Sequence, residues 1–231
     1  HLGDFVCCLS VFEDIPAPLE FLKSLRRSIA DRDVPVYFEV FNGYRAISDG
    51  EVWSVHYEQC NYFSLDALTN IFELAGFEII ESGSCYEGDQ YLYVEARPAT
   101  AGSKVLGPRL PSKFSETVSR FSDMFKERVD WWGKKLDECR RDRRRVVSWG
   151  SGGKGITFLT SVPNADVVQE VVDINPERQR YFIPLSGQPI VDPGGLVRSV
   201  PDVVILTNGL YQREISECLK ELEIACEIIV A

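Results

Sequence analysis

Apolar runs alternate with segments of helical periodicity along this chain, and the alternation predicts an α/β protein. Near the start, a run at 4–10 and another at 36–41 enclose apolar positions that recur every three or four residues between Leu19 and Ile29. Strand, helix and strand in this order indicate parallel strands. Because both runs are continuously apolar, we expect strands covered on both faces.

The next segment predicts a helix followed by a hairpin. Ser64 is a suitable N-cap for a helix that Gly76 ends. Phe77–Ser82 and Gln90–Ala96 then have the pattern of two antiparallel strands joined by a loop that contains glycine.

A bridge separates this region from a second alternating one. Pro98–Pro111 is rich in Pro, Gly and small residues and predicts a linker, and a long helical pattern with an aromatic stripe covers 112–144. Packing against both domains or against a second copy of the chain would cover that stripe. We therefore predict three parts: 1–97, a linker with its helix at 98–145, and 146–231.

The third part has the pattern of a small parallel sheet. Strands are predicted at Val146–Trp149, Val167–Val172, Asp202–Thr207 and Ile228–Val230, with helices beginning near Ile156 and Tyr211. Pro176, Pro184, Pro189 and Pro193 exclude long regular elements from the segment between.

A glycine turn follows the first of these strands. Gly150, Gly152 and Gly155 have G-x-G-x-x-G spacing, and the next strand ends at Asp173. Such a turn lets a ligand approach the backbone at a helix N-terminus, where phosphate binds, and an acid at this distance bonds ribose hydroxyls in nucleotide-binding βαβ units. The alternative is a βαβ unit whose glycines only allow tight packing.

Composition narrows the class of protein. The chain has 231 residues, 45% of them hydrophobic, and a net charge of −10, which argues against a general binder of nucleic acid or membrane surfaces. The basic run at 140–145 is interpreted as a solvated helix end. Seven cysteines without C-x-x-C pairs and only two histidines indicate buried thiols in a reducing cytoplasm and no metal site.

Several motifs resemble those of one family. F-E-D-I-P-A-P at 12–18, Y-F-E-V-F-N at 37–42 and H-Y-E-Q-C-N-Y-F-S at 56–64 resemble the second half of a class I S-adenosylmethionine (SAM) methyltransferase domain of the sugar C-methyltransferase type. W-G-S-G-G-K-G, V-V-D-I-N-P-E-R-Q, I-P-L-S-G-Q-P-I-V and P-D-V-V-I-L-T-N are similar to the C-terminal domain of the same enzymes. The resemblance implies a partial class I (Rossmann-like) sheet that ends in a hairpin, a long linking helix and a second, small Rossmann-like sheet.

The resemblance also implies catalytic positions. Tyr57, Glu58 and Gln59 match the family segment that lies over the substrate, but Gln59 stands where the family has a histidine that serves as the candidate base. An amide has no useful basicity near pH 7. His56 is one residue away and substitutes only if the backbone there is irregular. Asp14 also replaces a frequent histidine. Both departures weaken the case for base-assisted C-methylation.

For the cofactor, the resemblance implies SAM with an incomplete site. Leu9, Ser10 and Phe12 match one wall of it, whereas the family's glycine loop for SAM precedes these strands. The chain, which begins at His1, is therefore interpreted as a fragment, and we expect it to bind SAM weakly or not at all.

For the substrate, the resemblance implies a nucleotide-linked sugar or a similar polar metabolite. The candidate binding residues are Gly150, Ser151, Gly152, Lys154, Asp173, Asn208 and Tyr211. Two alternatives remain open, an NAD(P)-dependent oxidoreductase domain and a non-catalytic module that binds nucleotide sugars. A homodimer through the 112–144 helix is a further possibility.

Overall fold

The computed structural model of the protein describes residues 3–100 and 114–231, which form two compact units. Unit 1 comprises the chain up to Glu51 together with Tyr57–Ser122, and unit 2 comprises Val52–His56 together with Asp123–Ala231. The border therefore falls inside the long helix. The short segment Val52–His56 belongs to unit 2, although residues of unit 1 precede and follow it in the sequence.

Unit 1 is built on a mixed four-stranded sheet. Its elements are β1 (Val6–Leu9), α1 (Pro18–Ile29), β2 (Val36–Phe41), α2 (Gly43–Asp49), α3 (Leu65–Leu74), β3 (Phe77–Cys85), β4 (Tyr91–Pro98) and the beginning of α4 (Phe114–Arg141). The strand order is β1-β2-β4-β3, in which β1 runs parallel to β2 and the other two pairs are antiparallel. The predicted hairpin is confirmed.

The core of unit 1 is aromatic. Phe12, Phe38 and Phe72 are fully buried, and the rings of Phe38 and Phe72 meet edge to face at 5.0 Å between centroids. Such edge-to-face contacts add to the stabilisation from apolar burial. The Ser64 side chain accepts a hydrogen bond from Ala67 N at 3.2 Å, so the predicted N-cap of α3 is present.

Strand β1 differs from its prediction. It is a short edge strand that pairs only with β2 among the described strands, and its side chains alternate between half-buried and exposed. Leu9 is 54% exposed. The apolar run at 4–10 predicted cover on both faces, and that expectation is wrong for the part of the chain that the structure describes.

The prediction of buried thiols also needs correction. All seven cysteines are free, and Cys139 alone among them is buried, while Cys7 and Cys60 are exposed. A sequence pattern does not distinguish a core cysteine from one on the open side of an edge strand.

Unit 2 is built on a parallel sheet, as predicted. Its elements are the remainder of α4, β5 (Val146–Trp149), α5 (Gly153–Ser161), β6 (Val168–Val172), β7 (Ile190–Val191), β8 (Val203–Leu206), α6 (Gln212–Glu221) and β9 (Glu227–Val230). The order is β7-β6-β5-β8-β9, and every neighbouring pair is parallel. Strand β5 is central and fully buried. The two-residue β7 between prolines was not predicted.

Aromatic packing places Val52–His56 in unit 2. The Trp53 ring meets Phe158 of α5 at 5.1 Å, and Trp132 of α4 meets the same ring at 5.0 Å, both nearly perpendicular. The later part of the α4 stripe is therefore buried, whereas Phe114 and Val118 at its beginning are 38% and 40% exposed. The predicted linker lies largely outside the described residues.

The basic run at the end of α4 is paired within unit 2. Arg140 lies 2.7 Å from Asp166, Arg144 lies 2.7 Å from Glu227, and Arg145 contacts Glu170. Arg140 keeps 48% of its side chain exposed, so the helix end is solvated as interpreted, while Arg144 and Arg145 after the helix are paired with residues of the sheet. Within the described ranges, no helix has the length and apolar character that crossing a bilayer requires.

Candidate functional site

The strand order of unit 2 defines one edge where a ligand is expected. From β5 the chain continues through α5 to β6 on one side, while β8 lies on the other side. Ligands of open α/β sheets bind outside the carboxyl ends of the strands where the order reverses in this way. Gly150 follows β5 and Thr207 follows β8, so these two residues mark the candidate edge.

Two glycines are required by the geometry of the turn at this edge. Gly150 has φ of +100°, a conformation that favours glycine. A Cβ added to Gly155 would lie 2.1 Å from the carbonyl oxygen of Gly150. Gly150 and Gly155 therefore allow the tight packing between β5 and α5 that both interpretations of the pattern require.

The predicted ribose-binding acid is already engaged in the turn. Asp173 is buried, and its Oδ2 accepts hydrogen bonds from Ser151 N at 2.9 Å and from the Ser151 hydroxyl. Its Oδ1 accepts from Asn175 N at 2.9 Å, and Arg178 Nη1 lies 3.6 Å from Oδ2. These contacts show that Asp173 holds the glycine turn and the loop after β6 together.

The same contacts keep Asp173 ionised. Burial alone pushes the pKa of Asp173 upward, but the hydrogen bonds from Ser151 and Asn175 and the charge of Arg178 outweigh it, and the pKa lies below its ordinary value. A carboxylate whose two oxygens both accept bonds from its own chain is a positioning group.

Two residues at this edge, Thr207 and Arg178, were not predicted from the sequence. Thr207 is buried, and its hydroxyl oxygen lies 3.8 Å from where a Gly150 Cβ would be. Arg178 places its guanidinium 3.4 Å from the Cβ position of Gly152. The available signals were the position of Thr207 directly after an apolar run and the basic residue in N-P-E-R-Q.

The remaining predicted substrate residues of unit 2 lie on two neighbouring parts of this edge. Lys154 is half-buried in the first turn of α5. Asn208 follows Thr207, and its side chain accepts a hydrogen bond from Leu210 N at 3.3 Å. Tyr211 is 51% exposed. An open depression beside Asn208 is lined by Gly209, Leu210 and the Gln212, Arg213, Ser216, Glu217 and Lys220 side of α6.

His56 precedes the other predicted catalytic residues in the sequence. It belongs to unit 2, where its ring covers Gly153, so that a Cβ added to Gly153 would lie 2.8 Å from Cε1 of the ring. The ring nitrogen Nδ1 is 3.4 Å from Thr157 Oγ1, and that hydroxyl donates to Val55 O at 3.0 Å. His56 therefore packs on the beginning of α5. Its use as a replacement base beside Gln59 stays a prediction.

Tyr57, Glu58 and Gln59 form an exposed segment of unit 1. The Tyr57 side chain is 99% exposed, Glu58 is exposed, and Gln59 is half-buried. Gln59 Nε2 donates to the carbonyl of Asn61 at 3.2 Å, which turns its amide nitrogen back toward its own chain. A hydroxyl, a carboxylate and an amide oxygen are thus the polar groups that this segment can present.

The three predicted cofactor residues differ in exposure to solvent. Leu9 and Ser10 are exposed at the carboxyl end of β1, and Ser10 has φ of +52° while its N–H donates to Glu39 O at 2.9 Å. Phe12 is fully buried and stacks on Phe63 at 5.4 Å between ring centroids. The assignment of Phe12 to a cofactor wall is therefore corrected: its side chain belongs to the core.

Comparison with known protein families accounts for both units. Residues 112–230 match the C-methyltransferase C-terminal domain, and residues 3–82 match a methyltransferase domain. The chain belongs to the C-methyltransferase family. A search of curated proteins returned no significant match.

In this C-methyltransferase, unit 1 also contains a buried acid that the sequence analysis did not select. Glu13 is 6% exposed, and its Oε1 accepts from Phe41 N at 3.1 Å. Its Oε2 is inaccessible and has no hydrogen-bond partner among the described residues. Burial raises the pKa of Glu13, and the negative charges of Asp14 and Glu39 raise it further. The hydrogen bond from Phe41 lowers the pKa, but it does not cancel these effects. The only signal in the sequence was its place in F-E-D-I-P.

Metal chemistry has no evident site in the part of this C-methyltransferase that the structure describes. Across residues 3–100 and 114–231, no cluster of His, Cys, Asp or Glu has the grouping that would hold an ion.

Proposed function

We propose that this methyltransferase takes SAM as methyl donor and a nucleotide-linked sugar as acceptor, and that unit 2 binds the nucleotide part of the acceptor. The proposal depends chiefly on the match of 112–230 to the C-methyltransferase C-terminal domain. The edge of unit 2 supports it, because a glycine turn at a helix N-terminus lies where the strand order reverses.

The charges around the turn suit a diphosphate. Lys154 stands in the first turn of α5, and Arg178 lies beside Gly152. The Asp173 carboxylate reduces the positive potential at the turn, because it is negatively charged and accepts the hydrogen bond of Ser151 N–H. The two cations restore it, and guanidinium and ammonium groups are the usual partners of phosphate oxygens. Thr207 and Asn208 at the neighbouring strand end would bond hydroxyls of the sugar or the ribose.

On unit 1 we assign the acceptor to the Tyr57–Gln59 segment. SAM supplies a methyl group on a positively charged sulfur, and an acceptor carbon must lose a proton to receive it. Gln59 cannot take that proton, whereas the Glu58 carboxylate can. The residues present fit SAM only in part, because Leu9 and Ser10 are exposed but Phe12 is buried. We therefore assign residues of this chain to the acceptor and none of them to SAM.

A non-catalytic module that binds nucleotide sugars is the second candidate. The replacement of the expected histidine by Gln59 favours it. An oxidoreductase that uses the glycine turn for NAD is less consistent with the structure. Its acid would have to bond a ribose, and three hydrogen bonds from Ser151 and Asn175 already occupy most of the acceptor sites of the Asp173 carboxylate.

Calorimetric titration with UDP-glucose, dTDP-glucose, SAM and NADH tests these functions. We expect one of the nucleotide sugars to bind, and Lys154→Ala and Arg178→Ala each to weaken its binding about tenfold, as loss of a charge-assisted contact does. Lys134→Ala, which removes an exposed lysine from α4 in the same unit, is the matched control and should not change the affinity. Binding of NADH alone would support the oxidoreductase, and binding of none of the four would refute the proposal.

A further inference from the structure

The residues directly after the exposed Tyr57–Gln59 segment are firmly attached to unit 1. The backbone N–H groups of Cys60 and Asn61 donate to the carbonyl oxygen of Glu13 at 3.1 and 2.9 Å. The Asn61 side chain donates to the same oxygen at 3.1 Å and to Ile15 O at 2.8 Å. Three of these four hydrogen bonds come from Asn61, so a single residue fixes the end of the segment.

Glu13 connects this attachment to the sheet. Its carbonyl receives the bonds from 60–61, while its carboxylate accepts the N–H of Phe41 at the end of β2. The side chain is buried and one of its oxygens has no partner in the described parts of the chain. Burying a carboxylate in this way costs stability. In the structure, Glu13 contributes one thing in exchange: it fixes the geometry with which the segment after β1 contacts β2 and residues 60–61.

The chain that follows Asn61 is equally constrained. A Cβ added to Gly43 would lie 2.6 Å from the Cα of Tyr62, so the two backbones are in close contact. Phe63 O accepts from Tyr44 N at 3.0 Å, and the Phe63 ring is buried. The segment Tyr57–Gln59 thus emerges from a rigid base, and Gln59 is oriented by its own bond to Asn61 O.

We propose that Glu13 and Asn61 are positioning residues that set the direction in which the Tyr57–Gln59 segment leaves the carboxyl edge of the unit 1 sheet. The function of that segment in binding an acceptor rests on the proposed function above. The attachment itself, here called the Glu13–Asn61 clamp, can be tested without any ligand.

Amide hydrogen exchange at Cys60 and Asn61 measures the clamp directly. Asn61→Ala removes both side-chain bonds, and we expect exchange at Cys60 and residue 61 to accelerate about tenfold or more. Thr69→Ala is the matched control, because it also removes two side-chain bonds in unit 1, to Leu65 O and to Asp66 O. Exchange at 60–61 no faster in Asn61→Ala than in Thr69→Ala would overturn the proposal. Asn61→Ser, which keeps one donor, should give an intermediate rate and replaces Asn61→Ala if that variant does not fold.

Two variants of Glu13 separate positioning from packing. Glu13→Gln keeps an oxygen for Phe41 N and should leave exchange at 60–61 close to the wild-type rate. Glu13→Leu keeps the bulk but removes the acceptor, and it should accelerate exchange as Asn61→Ala does. Equal exchange in wild type and Glu13→Leu would remove Glu13 from the clamp and refute the proposal as stated.

Binding of UDP-glucose and dTDP-glucose to the same variants tests the functional part. Where wild type binds a nucleotide sugar, Asn61→Ala and Glu13→Leu should weaken it about tenfold, and Glu13→Gln should recover most of the affinity. Unchanged affinity in Asn61→Ala would overturn the functional part of the proposal. A wild type that binds neither probe would refute the proposed function instead, and the exchange rates would still decide whether the clamp exists.

Discussion

Two buried carboxylates follow strands in the two units, and their surroundings are opposite. Asp173 follows β6 in unit 2, and both of its oxygens accept hydrogen bonds, with Arg178 close by. Glu13 follows β1 in unit 1, and one of its oxygens has no partner in the described chain, while Asp14 and Glu39 add negative charge. The pKa of Asp173 is lowered and that of Glu13 is raised, although burial acts on both in the same direction.

The difference teaches that burial alone does not decide what an acid does. Donors and a cation stabilise the ionised form, and without enough of them desolvation dominates. Asp173 is therefore part of the framework of unit 2. Glu13 is tolerated in unit 1 at a cost, which is what we expect of a residue kept for the geometry that it imposes.

Distorting the glycine turn should produce the largest effect. Gly155→Ala forces a Cβ to within 2.1 Å of a backbone oxygen, which no side-chain rotation relieves. We expect a loss of about 3 kcal/mol or more in the free energy of unfolding of unit 2, measured by urea denaturation. Gly152→Ala is the control, because its Cβ would meet only the end of the Arg178 side chain at 3.4 Å. Similar losses in both variants would contradict the close approach at Gly155.

Neutralising Asp173 should come next. In Asp173→Asn, the N–H of Ser151 and the N–H of Asn175 lose a charged acceptor, and we expect a loss of about 2 to 4 kcal/mol at pH 7. Because the pKa of Asp173 is lowered on folding, its stabilisation is present above the ordinary value of about 3.9 and disappears as the pH falls through the folded value. Unfolding curves of wild type and variant should therefore converge in acid. A constant gap down to low pH would show that charge is not the cause.

Glu13→Gln should change the free energy of unfolding less than Asp173→Asn does, and its effect should depend on pH in the opposite direction. The raised pKa means that wild-type stability is greatest below the ordinary glutamate value of about 4.3 and falls as the pH rises through the folded value. A glutamine does not titrate, so the variant should gain up to about 1 kcal/mol on wild type between acid and neutral pH. The titratable groups near Glu13 are Cys8, Asp14 and Glu39. A variant that loses stability relative to wild type as the pH rises would reverse the assignment.

The smallest effect is expected for Arg178→Ala. Its guanidinium is 51% exposed and 3.6 Å from Asp173, so we expect a loss of no more than about 1 kcal/mol in the stability of unit 2. Arg213→Ala, which removes an exposed arginine 4.0 Å from Glu217, is the matched control and should lose less. A large loss in Arg178→Ala would make the arginine a structural partner of Asp173 and weaken its proposed contact with phosphate.

The helices and most strands could be predicted because each depends on nearby residues. The Ser64 cap, the stripe of α4 and the apolar runs at β2, β5 and β8 needed no knowledge of the fold. The candidate site was predicted less well. Thr207 and Arg178 were missed although Asn208 and Asp173 at the same strand ends were selected, because a sequence pattern locates a strand end but not the side chains there that approach the glycine turn.

The sequence by itself determined the fold class, the parallel sheet of unit 2 and the family, since periodicity, glycine spacing and motifs are local properties of the chain. The tertiary structure decided that Val52–His56 packs with unit 2, that Phe12 is core, and that His56 lies against Gly153. It also decided the opposite behaviour of Asp173 and Glu13. The physical reason is that burial and hydrogen-bond partners come from residues far apart in the sequence, such as Glu13 with Phe41 and Ser151 with Asp173.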